Sequence, residues 1–465
     1  RQTREESING MKVSDWLSSD ALAFPIDAES VRIILSPCDF YKTLLDRISS
    51  ARERICLSSL YIGDGKLERD LVDVLSARLS SELDDAPRVT VLIDYLRGTR
   101  GAERSSTTLL RAIADRANVF LYHTPELFGF FKSVLPERSN EIVGLQHMKL
   151  YIFDDSVLIS GANLSDTYFT NRQDRYVLFE NCPELANFFC AIVDAVSEKS
   201  FRLNSDGTTS LADASSHHPF QGNSKAYTRE LRARLLEVVE EARKRRAEMN
   251  NHEEKWKECD TVVYPLMQMG PLGINDEFDM LRKMLSSQDK KMEMTLASGY
   301  FNCIDDYDEA ILRRGQYSLD IIMAAPDANG FAGASGASRF VPAMYSWVAA
   351  RFLKEMQRRG RERVQLLEYS RPDWSFHAKG IWSTDGERMA TVIGSSNYGY
   401  RSVHRDLEAQ VVVETTNDRL MARLNEERNA LLNFTSLVDA AVLRRSDHHV
   451  PRLVAFISRF IRNFF

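Results

Sequence analysis

At 465 residues the chain is long enough for two domains, and its 44% hydrophobic and 27% charged content is that of an ordinary soluble globular protein. A formal net charge of −6 excludes polyanion binding by bulk charge, so any anion site is local and no nucleic-acid partner is expected. No apolar run reaches the about 18 residues of a membrane-crossing helix, and six scattered cysteines without a CxxC pair read as reduced core thiols rather than disulfide or zinc ligands.

The chain opens at Arg1 with no targeting segment to read. SVRIILSP then reads as a strand, DFYKTLLDRISSARE as a helix and RICLSSLYIGD as a strand. GKLERDLVDVLSARLSSEL follows as a helix and RVTVLIDYL as a strand. In HMKLYIFD, at 147–154, strand alternation sets His147, Lys149, Tyr151 and Phe153 on one face and Met148, Leu150 and Ile152 in a core. Between 203 and 260 a polar loop leads to a charged helix with the stripe Leu231, Leu235, Val238 and Val239, read as a solvated connector. His217 and His218 are loop residues there.

The second half repeats the first. TVVYPLMQM, INDEFDMLRKMLSSQDKK, MEMTLASGYFN, DDYDEAILRRG and SLDIIMAAP alternate strand and helix, an α/β pattern. His377 and Lys379 repeat His147 and Lys149. A small-residue turn ending in asparagine follows each: SGAN to Asn163 and GSSN to Asn397. Eleven residues beyond each asparagine stands a carboxylate, Asp174 or Glu408. Chance HxK pairs do not arrive with the same companions twice.

These residue types fit chemistry at a phosphoryl group. A histidine can attack phosphorus or move a proton near neutral pH. The lysines supply fixed positive charge, the asparagines amide donors, and Gly161, Gly394, Ser395 and Ser396 let backbone N–H groups approach a ligand. Each carboxylate is expected to hold its histidine's second nitrogen. A metal is not expected, because each lysine would repel a cation and no ligand set such as HExxH is present.

HMKLYIFD, through Asp154, resembles the HxKx4D signature of the phospholipase D superfamily; the second copy, HAKGIWST, carries Thr384 where that family has Asp. Within the superfamily, LQHMKLYIFDDSVLISGANLSDTYFTNRQDRYV, IGSSNYGYRSVHRDLEAQ, SLYIGDGKLERDLVDVL, ASGYFN and the terminal NFF are similar to the eukaryotic phosphatidylglycerophosphate synthases. The resemblance implies two pseudo-twofold-related domains, 1–202 and 261–465, each a mixed sheet flanked by helices, with the site at their interface. It implies CDP-diacylglycerol and glycerol 3-phosphate as substrates, a phosphatidyl-histidine on His147, His377 as acid/base, no cofactor, and a place on the matrix side of the mitochondrial inner membrane. Phosphatidylserine synthase, a phospholipase D-type hydrolase and a lipid-binding scaffold are the alternatives.

A dianionic acceptor calls for arginine. Motif proximity nominates Arg172, Arg175, Arg401 and Arg405; the loop RGTRGAERSS adds Arg97, Arg100 and Arg104. Ser395, Ser105, Ser106, Tyr300 and Asn302 are further candidates. For monotopic contact with an anionic membrane the sequence offers Phe128, Phe130 and Phe131 in ELFGFFKSVLP, and Phe456 and Phe460 in the basic amphipathic segment PRLVAFISRFIRNFF.

Overall fold

β-Branched runs and capped amphipathic helices build two sheets with the same internal order. The computed structural model describes residues 12–80, 86–126, 144–249 and 259–464. In the first sheet, Asn118–Tyr122, Arg88–Asp94, Arg54–Ser58, Leu150–Phe153, Ser156–Ser160, Tyr176–Phe179 and Val31–Ile34 lie side by side. In the second, Val364–Tyr369, Ser318–Ala324, Glu293–Ser298, Lys379–Thr384, Met389–Gly394, Leu407–Thr415 and Thr261–Met269 take the same places. The first three strands of each series run parallel and the rest antiparallel, so both sheets are mixed. Helices supply the parallel crossovers. Helix Pro37–Ser50 shows how such elements start: Ser36 accepts the Asp39 N–H at 3.1 Å and proline sits in the first turn. Its Phe40, Leu44 and Ile48, four residues apart, are buried.

The expected domain boundaries shift in two places. Phe24–Ile26 pairs with Thr261–Val263 on the edge of the second sheet, and Val13 and Trp16 enter that half's core. Phe201–Leu203 and Thr209–Leu211 extend the first sheet into the expected linker. Helix Ser224–Met249 is not a free connector either, since Leu231, Leu235 and Val238 are fully buried where it packs on helix Pro183–Glu198. The free cysteines are buried at Cys56, Cys182, Cys190 and Cys303, whereas Cys38 is exposed.

The strand alternation around the first motif holds, with both faces dry. Met148, Leu150 and Ile152 enter a core shared by the two halves, while Tyr151 and Phe153 enter the first half's own core. A buried strut crosses between the halves. The Arg175 guanidinium makes two bonds of 2.9 and 2.8 Å to Glu427, donates to Thr391 Oγ1 and the Val392 carbonyl, and lies 3.7 Å over the Trp382 ring. The Trp382 indole N–H also donates to Glu427, at 3.0 Å. Removing one member leaves an uncompensated buried charge, so Glu427→Ala is expected to cost about 3–5 kcal/mol in chemical denaturation.

Candidate active site

Both motif histidines sit where the halves meet, and their backbones fasten the junction. The His147 N–H donates to the Leu407 carbonyl at 2.9 Å, and the His377 N–H to the Gln173 carbonyl at 2.8 Å. Beside the second of these contacts, Ser375–Phe376 pairs in parallel with Arg172–Gln173. The side chains cross as well. His147 Nδ1 lies 2.9 Å from Glu408, and His377 Nδ1 lies 2.6 Å from Asp174. Each carboxylate therefore holds a histidine, but the histidine of the opposite half rather than its own.

Lys149 and Lys379 are fully buried, and each Nζ donates to the carbonyl of its own histidine, at 2.7 and 2.9 Å. Lys379 Nζ also stands 3.7 Å from Asp174. Burial pulls both histidines well below their ordinary value, helped by Lys149 at His147 and by Lys379 and Arg172 at His377. Burial pushes Asp174 up to about 6 against the pull of Lys379, and raises Glu408 against that of Lys149. The histidines thus rest neutral, and a carboxylate at Nδ1 favours the tautomer with its lone pair on Nε2; at His377, Lys379 Nζ also lies 2.7 Å from Nδ1 and 3.2 Å from Nε2.

The turns that follow the motifs serve this arrangement. A Cβ on Gly161 would lie 2.7 Å from Asp174 Oδ1 and 3.0 Å from Lys379 Nζ, and one on Gly394 would lie 2.3 Å from the Ala409 carbonyl. These glycines make room for the site's own groups. Asn163 Nδ2 donates to the Tyr168 hydroxyl at 3.2 Å, and the Asn397 N–H donates to Ser402 Oγ at 3.0 Å.

Arg172 and Tyr300 stand at His377. The Arg172 guanidinium lies 4.8 Å over the Tyr168 ring and donates to Ser375 Oγ at 3.1 Å, and the Tyr300 ring centroid is 5.5 Å from that of His377. Arg401 is on the His147 side, where it bonds Asp406 at 3.3 Å; Arg405 lies 3.9 Å from Glu126. For a cation, His147, Asp406 and Glu408 bring ligand atoms within 4.8 Å of one another. Those atoms are already engaged, Glu408 by His147 and Ser395, and Asp406 by the Leu145 N–H and Arg401.

No family model matches the chain. The mitochondrial CDP-diacylglycerol–glycerol-3-phosphate 3-phosphatidyltransferase of Gallus gallus is 39% identical over 482 residues, covering 97% of this chain and 86% of the relative. The chain belongs to the CDP-diacylglycerol–glycerol-3-phosphate 3-phosphatidyltransferase family. The Homo sapiens member is 37% identical over 484 residues, covering 98% of this chain and 86% of the relative. Among solved structures, phosphatidylserine synthase of Haemophilus influenzae Rd KW20 aligns with a TM-score of 0.71 over 97% of this chain and 96% of that one. At 18% identity this shows a common fold.

Several expected site residues of this family member have other duties. Arg175 is spent in the strut with Glu427 and is 1% exposed. Asp154, at the far end of its strand from His147, accepts the backbone N–H groups of Arg52, Glu53 and Arg54. Thr384 does comparable work in the second copy, accepting the Gly386 N–H at 3.0 Å and donating to the Arg388 carbonyl at 2.8 Å. Ser395, fully buried, donates to Glu408 and positions it. Arg104 is a surface residue paired with Asp64 at 2.7 Å. Arg97 instead stacks 4.7 Å over Tyr61 and acts on Tyr300, with Arg100 half-buried further along the turn. Ser105 caps a short helix, Ser106 bonds the Ile62 backbone, and Asn302 donates to the Arg462 carbonyl at 2.6 Å. Phe128, Phe130 and Phe131 lie outside the described residues.

Sequence reasoning missed Tyr168, whose hydroxyl lies 3.1 Å from His377 Nε2. It also missed Glu277, buried beneath the second turn, where it accepts from Ser396 Oγ at 2.8 Å and burial pushes it up to about 8.

The cluster around His377 fixes a pH dependence. Below about pH 6 Asp174 takes a proton and stops accepting the His377 Nδ1–H. Above about pH 8 Lys379, which burial pulls down against the pull of Asp174, loses its charge. A bell-shaped kcat/KM profile with limbs near those two values is expected. Asp174→Asn should lower the rate by about 10²–10⁴-fold and abolish the acidic limb.

Proposed function

We propose that this protein transfers the phosphatidyl group of CDP-diacylglycerol to sn-glycerol 3-phosphate, giving phosphatidylglycerophosphate and CMP. The observation that carries this reading is the pair of crossed histidine–carboxylate contacts beside two buried lysines, in a chain belonging to that transferase family. His147 Nε2 attacks the lipid phosphorus, the phosphorus–nitrogen bond forms, and CMP departs. CMP leaves as a phosphate whose second ionisation lies near pH ~6, so its oxygen needs no proton at neutral pH. The acceptor hydroxyl does need to lose one, and a neutral His377 is a base suited to take it. The acceptor oxygen then bonds phosphorus and His147 is released. Lys149, Lys379, Asn163 and Asn397 attend the phosphoryl oxygens, and Arg172 is the arginine best placed for the acceptor's phosphate.

A lipid substrate requires a membrane-facing surface, and the terminal helix Arg452–Ile461 offers one. Among the described residues, no helix is long and apolar enough to cross a membrane. Val454 and Ser458 are buried, where the helix packs on Val341–Arg358. Leu453, Phe456, Ile457 and Phe460 are exposed, one apolar face flanked by Arg452 and Arg459. Arg462 fastens the helix's end to Asn302, Cys303 and Asp305, close in sequence to Tyr300. The relatives' names place them in mitochondria, and we assign this protein to the matrix face of the inner membrane.

The deciding assay offers purified protein CDP-diacylglycerol with glycerol 3-phosphate, serine and water in competition, with products read by mass spectrometry. Phosphatidylglycerophosphate and CMP are expected. His147→Ala should give no product, and His377→Ala should lower the rate by about 10²–10⁴-fold. Phosphatidylserine or phosphatidic acid as the main product would overturn the acceptor assignment. In flotation with phosphatidylcholine–phosphatidylglycerol vesicles, Phe456→Glu with Phe460→Glu should weaken binding by about ten-fold or more; unchanged flotation would remove this helix from the membrane contact.

A further inference from the structure

The two halves keep the same spacing from motif asparagine to carboxylate, but the residues between differ, and some of them stand at the two histidines. Short helices follow at the same offset, Asp166–Thr170 after Asn163 and Tyr400–His404 after Asn397. Five residues past the asparagine, the first half has Tyr168 and the second Ser402; nine residues past, the first has Arg172 and the second Asp406.

Those differences reach the chemistry. Tyr168 extends across the junction to His377, with its hydroxyl 3.1 Å from Nε2 and the rings nearly perpendicular at 84°. Asn163 Nδ2 donates to the same hydroxyl at 3.2 Å, which turns the phenolic proton toward Nε2, an atom that Lys379 Nζ also approaches at 3.2 Å. Burial raises the Tyr168 hydroxyl above its ordinary value and keeps it a donor, while Arg172, over its ring, opposes the shift. Ser402 is too short to do this for His147, and its oxygen accepts the Asn397 N–H instead. Among the described residues, none bonds Nε2 of His147, which is left open for attack.

We infer that Tyr168 is a catalytic residue that carries the acceptor's hydroxyl proton to His377, and that its replacement by Ser402 in the other half is what gives the two histidines different tasks. This rests on the two-step reading above. The acceptor hydroxyl gives its proton to the Tyr168 oxygen as Tyr168 gives its own to His377 Nε2. The acceptor oxygen bonds phosphorus, the phosphorus–nitrogen bond breaks, and its electron pair returns to His147 Nε2. His377 then releases the proton to water. CMP departure involves no such transfer, so Tyr168 serves the second step alone.

Two measurements on the full chain separate the steps. Exchange of labelled CMP into CDP-diacylglycerol, without acceptor, reports the first, and phosphatidylglycerophosphate formation reports the second. Tyr168→Phe is expected to leave exchange within about three-fold of wild type while transfer falls by about 10²-fold or more. Loss of both in parallel, with an unchanged melting transition, would make Tyr168 a structural support and overturn the relay; so would retention of both. Should Tyr168→Phe fold poorly, Tyr168→3,5-difluorotyrosine keeps the ring and hydroxyl and alters only its acidity. An altered transfer rate with unaltered exchange then supports the relay, and an unaltered transfer rate overturns it. Absence of exchange in wild type would instead defeat the two-step reading itself, and the relay with it.

Discussion

The exchange of histidine–carboxylate partners between the halves is the constraint around which the rest is arranged. Lys149, Lys379, Asp174 and Glu408 are each at most 2% exposed. Isolated charges at that depth are prohibitive, and they are tolerable here because two cations and two carboxyl groups occupy one small volume with their hydrogen bonds made. That volume forms only when the halves dock, since each motif histidine lies on one half and its carboxylate on the other. Gly161, beside Lys379, and the backbone contacts of His147 and His377 serve that docking, while the Ser395–Glu408 bond sets the carboxylate within the second half. The Arg175–Glu427 strut braces it from behind.

Much of this was legible in the sequence because it is periodic. Strand and helix alternation gave both sheets, and the doubled spacing from HxK to asparagine to carboxylate located Asp174 and Glu408. The crossing was not legible, because spacing along a chain does not reveal which half a side chain faces. Arg175 misled for a local reason. Along an extended strand, neighbours point to opposite sides, so Arg172 and Asp174 face His377 while Arg175 turns to Glu427. That alternation could have excluded Arg175 as a ligand. Tyr168 carried little signal, because every residue between asparagine and carboxylate differs between the two halves. Glu277 carried none, since its partner Ser396 is brought to it only by the sheet. The edge strand Phe24–Ile26 was hidden because its partner lies in the other half.

Duplication gives this enzyme two equivalent histidines, and its chemistry needs inequivalent ones. The first half's turn brings a phenol and a guanidinium to His377, while the second brings a serine and the Asp406 carboxylate to the neighbourhood of His147. The charge around the pair is therefore polarised across the cleft, more positive on the His377 side. In the proposed reaction, that side draws the anionic acceptor and the other presents the nucleophile. The terminal helix is tied through Arg462 to Asn302 and Cys303, just beyond the Tyr300 that stands at His377.

The first described residues of the chain bear on how the molecule is made. Phe24 pairs with Val263, and Val13 and Trp16 pack in the core of the second half. During synthesis that segment emerges before the second half, yet its binding place does not exist until the second sheet has been translated. Its apolar side chains must wait, and the parallel central strands add further contacts between distant parts of the chain, which slow folding. Closure of the second sheet is thus a late event that ties the strand Phe24–Ile26 to the far half, and a chain interrupted before that point leaves this strand unpaired and the cleft unassembled.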